Sequence, residues 1–82
     1  MKYRIVIEKP AAKFILKQTK EQQTRILKAI YSLPDIGDVK KMQGTENLFR
    51  LRVGTYRILY TIEDQVLIIR VLEAGNRGDI YK

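Results

Sequence analysis

Arginines bracket the dipeptide Gly54-Thr55, which has the residues of a tight turn: Arg50 and Arg52 precede it and Arg57 follows it. A guanidinium stays charged at any accessible pH, and its planar fork can bond two oxygens of one phosphate. Guanidiniums aligned on one surface would therefore grip a phosphodiester. Arg70 and Arg77 follow, and Tyr81 lies next to the end of the chain. A phenol can stack on a base, pack on the protein, or accept a proton once neighbouring arginines lower its usual pKa of about 10. Lys40-Lys41 is a further basic pair, either solvated or in contact with phosphate.

Other chemistries are excluded by composition. The chain has no Cys and no His, which removes thiol nucleophiles, disulfides, Cys-based zinc sites and the usual general acid–base. Its nine Asp and Glu are scattered, whereas an oxygen-only Mg²⁺ or Ca²⁺ site needs clustered carboxylates. No metal and no cofactor is expected. Sixteen Lys and Arg give a net charge of +7, which points to a polyanionic partner or, more blandly, to solubility. The start, Met-Lys-Tyr-Arg-Ile-Val-Ile-Glu, is too charged for a signal peptide. The apolar run Val66-Leu67-Ile68-Ile69 is far too short for a membrane span. A cytoplasmic protein is expected.

Eighty-two residues make a single domain, 1–82. Tyr3 to Glu8 alternates and reads as a strand. Pro10 suits the first turn of a short helix anchored by Phe14 and Ile15. Thr19-Lys20-Glu21-Gln22 fits a capping box for a second helix, whose apolar stripe is Ile26, Leu27, Ile30 and Leu33. Lys20, Arg25 and Lys28 fall off that stripe. Pro34 to Asn47 reads as a loop. Strands follow at about 48–53, 56–62 and 65–73. The expected fold class is α+β: two N-terminal helices on one face of a four-stranded antiparallel sheet, in the order β-α-α-β-β-β.

The Gly54-Thr55 link matches a type II′ hairpin turn and sets the register. Val53 should pair with Tyr56, Arg52 with Arg57, and Leu51 with Ile58. Alternation then places Arg50, Arg52 and Arg57 on one face, with Phe49, Leu51, Val53, Tyr56, Ile58 and Tyr60 on the other. A two-residue turn at Glu63-Asp64 would put Arg70 opposite Arg57 and extend the row across three strands. Directly opposed like charges are destabilising by up to about 1 kcal/mol, so folding alone gives no reason for the row, while a bound phosphate backbone does. The plainer alternative is a solvated outer face. Residue choice fits the first reading: residues 1–42 hold eight Lys and two Arg, whereas residues 43–82 hold five Arg and one Lys.

The run from Leu48 to Tyr60 resembles the central hairpin of the RelE/ParE toxin superfamily. The stretch Gly75-Asn76-Arg77-Gly78-Asp79-Ile80-Tyr81-Lys82 resembles its closing motif, and Gly37 to Gly44 resembles its preceding loop. The likeness spans essentially the whole chain and implies a RelE-like fold. For the RelE branch it implies a toxin of a type II toxin–antitoxin system: a metal-independent endoribonuclease that cuts messenger RNA in the ribosomal A site. The substrate's 2′-hydroxyl attacks the adjacent phosphate, and translation stops. Carried over by position, Arg57 and Arg77 would hold the scissile phosphate. Arg50 and Arg52 would orient the chain or help the leaving group, and Tyr81 would accept the 2′-hydroxyl proton. Lys40, Lys41 and Arg70 would add RNA contacts. The implied partners are a cognate antitoxin, in a hetero-oligomer, together with message and ribosomal RNA. Asn76 stands where many relatives carry His, and Arg50 where others carry Lys. Two other readings are a ParE-like inhibitor of DNA gyrase and a relative without catalysis that only binds RNA or a partner.

Overall fold

The computed structural model describes residues 3–34, 38–42 and 47–76. Strand β1 (Arg4–Ile7) leads into helices α1 (Lys9–Leu16) and α2 (Lys20–Ile30), followed by strands β2 (Asp38–Lys41), β3 (Leu48–Val53), β4 (Tyr56–Glu63) and β5 (Ile68–Asn76). They form one five-stranded sheet in the order β1-β5-β4-β3-β2. The α+β class and the helical layer are as expected from the sequence, but the strand count is five, not four. The additional strand, β2, lies inside the stretch read as a loop. An edge strand needs only one hydrogen-bonded neighbour, so Asp-Val-Lys-Lys can form one without an apolar alternation. The sheet is also mixed, because β1 runs parallel to β5 while the other pairs are antiparallel.

Local chemistry accounts for the helices. Pro10 sits in the first turn of α1, where a missing N–H leaves no bond unmade. The Thr19 hydroxyl accepts from the Gln22 N–H at 3.2 Å and caps α2. Ala11 and Ile15 of α1 and Ile26 and Ile30 of α2 are buried against Leu51, Val53, Ile58, Tyr60, Ile69 and Val71 of the sheet. Phe14 meets Tyr56 edge-on with ring centroids 5.8 Å apart, and the Tyr56 hydroxyl donates to Gln18 Oε1 at 3.2 Å. These contacts tie α1 to the start of β4, beside the hairpin turn. Phe49 and Tyr60 stack at 5.5 Å on the same side. Both helices thus cover one face of the sheet, and Arg50, Arg52 and Arg57 belong to the other.

Candidate functional site

Gly54 has φ +60° and Thr55 lies outside the left-handed region, as the first and second central positions of a type II′ turn require. The β3–β4 register follows from that turn: Val53 pairs with Tyr56, Arg52 with Arg57, Leu51 with Ile58, and Arg50 with Leu59. Arg50, Arg52 and Arg57 therefore share the face turned away from the helices. Arg52 is exposed, but Arg50 and Arg57 are only 9% and 8% exposed. Each of the three makes interactions within the chain. Charged groups are rarely buried unless something compensates the lost hydration, so Arg50 and Arg57 are not the freely solvated arginines of an ordinary outer face.

The edge strand brings another cation to the cluster. Lys40 pairs with Arg50, and Lys41 pairs with Phe49. Lys40 is consequently on the arginine face, while Lys41 belongs to the helix side at the exposed sheet edge. Two adjacent rows result, running Asp38–Arg52–Arg57–Gly75 and Lys40–Arg50–Leu59–Glu73 across β2 to β5.

Arg70 is the correction. It stands opposite Thr61, and the position opposite Arg57 is taken by Gly75. Thr61 lies four residues beyond Arg57 on β4, roughly 13 Å along the strand. The connection from β4 to β5 is a four-residue turn, Asp64 to Leu67, with Leu67 at φ 56°. A register shift between Leu59 and Tyr60 moves the pairing once more. Both registers match apolar residues to the core face, so alternation alone did not separate them. Arg70 Nε donates to Glu63 Oε2 at 2.9 Å, and its Nη1 donates to Glu8 Oε2 at 3.0 Å. Its guanidinium fastens the end of β1 to β4. Hydrogen bonding to Arg70 holds the Glu63 carboxyl below the usual carboxylate range, and the same bonds push the Arg70 guanidinium up.

One contact had no signal in the sequence. A Cβ placed on Gly54 would lie 3.1 Å from Nη2, 3.3 Å from Cζ and 3.4 Å from Nη1 of Arg25. The Arg25 guanidinium is therefore laid against the hairpin turn, although helical spacing alone assigns this residue to solvent. Arg77 and Tyr81 lie outside the described residues. Among the described residues no helix is long and apolar enough to cross a membrane.

Two helices on one face of a five-stranded sheet make a RelE-like α+β fold. The chain belongs to the family described as the ParE toxin of the type II toxin–antitoxin system, parDE, whose model matches residues 5–78. A chain of the archaeal RelE–RelB complex from Pyrococcus horikoshii OT3 is similar to it, with 31% identity and a TM-score of 0.78 over 96% of this chain and 99% of that one. A chain of the RelB–RelE antitoxin–toxin complex from Methanococcus jannaschii shares 26% identity, with a TM-score of 0.75 over 93% and 94%. Toxin RelG of Mycobacterium tuberculosis is 40% identical over 43 residues, 52% of this chain and 46% of that protein. The chain spans about half the length of the curated relatives it matches.

Proposed function

We propose that this chain is the toxin of a type II toxin–antitoxin pair and that it acts as a metal-independent endoribonuclease on messenger RNA in the ribosomal A site. The observation that carries this reading is the register that sets Arg52 directly opposite Arg57 with Arg50 and Lys40 in the next row. Guanidiniums fixed on a sheet are preorganised for the charge that builds on phosphorus as the 2′-oxygen attacks. Such preorganisation is worth about 3–4 kcal/mol per donor in other enzymes. Arg57 grips the scissile phosphate, a role the resemblance assigns to Arg77 as well. Arg50 and Arg52 orient the strand or favour departure of the 5′-oxygen, and Lys40 contacts a neighbouring phosphate. Tyr81 completes the site in the same resemblance. The cognate antitoxin, like the RelB named in the related complexes, would mask a protein of +7 charge by electrostatic complementarity.

Expression in cells followed by primer extension on a reporter message tests the proposal. Cleavage that repeats with the codon frame is the expected result. Intact messages accompanied by DNA damage would indicate gyrase as the target, and no effect on growth would indicate a relative that binds without cutting.

A further inference from the structure

The cationic cluster can hold a phosphate but cannot take a proton. Arginine remains protonated beyond pH 12, and a lysine ammonium offers three donors and no acceptor. Attack by a 2′-hydroxyl nevertheless requires that its proton leave. Glu73 occupies the arginine face in the same row as Arg50, with Leu59 between them. It is also the diagonal neighbour of Arg57, because Arg57 pairs with Gly75 and Leu59 with Glu73. Diagonal neighbours in a sheet are roughly 7–8 Å apart, within reach of long side chains. Gly75 contributes no side chain between them. Glu8 and Glu63 are committed to Arg70, whereas Glu73 is exposed and makes no ion pair with a described residue. Asp38 pairs with Arg52, two strands away from Arg57. A carboxylate on a surface that grips a polyanion weakens binding, so its presence there calls for a use.

We infer that Glu73 is the general base of the cleavage reaction, an assignment that rests on the endonuclease reading above. The Glu73 carboxylate takes the 2′-hydroxyl proton, and the 2′-oxygen lone pair forms the new bond to phosphorus. The bond from phosphorus to the 5′-oxygen breaks, and the departing oxygen takes a proton from water. Glu73 then returns its proton to solvent.

The test is single-turnover cleavage on ribosomes programmed with a defined message, comparing the full chain with Glu73→Gln, Glu73→Asp, Asp38→Asn and Tyr81→Phe. Glu73→Gln is expected to lower the saturating rate about a hundredfold or more, in the range lost with a general base. Its half-saturating concentration should stay the same or fall, since a negative charge has left the binding face. Glu73→Asp, which keeps the carboxylate, should retain more activity than Glu73→Gln. A saturating rate within threefold of wild type for Glu73→Gln would overturn the assignment, as would a loss confined to Tyr81→Phe or Asp38→Asn. A wild-type chain that cuts nothing would overturn the endonuclease reading itself, and the base with it.

Discussion

Arg52 and Arg57 face each other directly across β3 and β4, two residues to either side of the glycine turn. Like charges directly opposite each other in a sheet repel. An anion between them would turn the repulsion into a clamp. Arg57→Ala is therefore expected to lower the cleavage rate about 10²- to 10³-fold, the loss typical of a removed transition-state donor. Circular dichroism should show the sheet and helices intact. Arg52→Gln should likewise reduce cleavage, with the fold retained by the same measure. Undiminished cleavage in both variants would remove the site.

Arg70 is predicted to matter for stability and not for cleavage. It is bound by Glu8 and Glu63 at the far end of the sheet from the hairpin. Arg70→Ala should lower the melting temperature, and more so at low salt, where exposed ion pairs are less screened. Its cleavage rate per folded molecule should match wild type. The pH dependence has a definite sign. Arg70 lowers the Glu63 pKa in the folded state, so the pair stabilises the fold above the ordinary carboxylate range. That contribution is lost as the pH falls through the lowered folded-state pKa. Acid unfolding should accordingly be less steep in Glu63→Gln than in wild type.

Tyr60 gives the alkaline counterpart. It is buried beneath the helices, and desolvation pushes its phenol up to about 12. The folded state thus favours the neutral phenol. The resulting stability is complete below the unfolded value near 10 and is lost as the pH rises from there through 12. Ultraviolet titration should show one of the five tyrosines ionising late, and Tyr60→Phe should abolish that step. An early, uniform titration of all the tyrosines would contradict the burial.

Gly54 combines a positive φ with the Arg25 guanidinium close above it. Gly54→Ala should destabilise the fold by about 1–2 kcal/mol, the usual cost of left-handed backbone for an L-residue. Part of that loss should be recovered in an Arg25→Ala background, because the added methyl no longer displaces a side chain. Chemical denaturation of the two single variants and the double variant checks the coupling. Strict additivity would mean that Arg25 yields without cost.

Both helices, the Thr19 cap and the β3–β4 hairpin were legible in the residues, because each depends on neighbours within a few positions. A helix start needs its capping hydroxyl and apolar spacing. A two-residue turn leaves a single register, so the placement of Arg50, Arg52 and Arg57 on one face followed from Gly54-Thr55. Three features depended on distant partners. β2 became a strand because β3 offered it an open edge, which put Lys40 beside Arg50. Arg25 met Gly54 because α2 packs over the sheet. Arg70 left the row because a four-residue turn and a register shift reset the pairing of β4 with β5, where two alignments bury apolar residues equally well by pattern. Local covalent geometry settled the arginine pair at the hairpin, whereas packing across the whole sheet settled which other charges stand beside it.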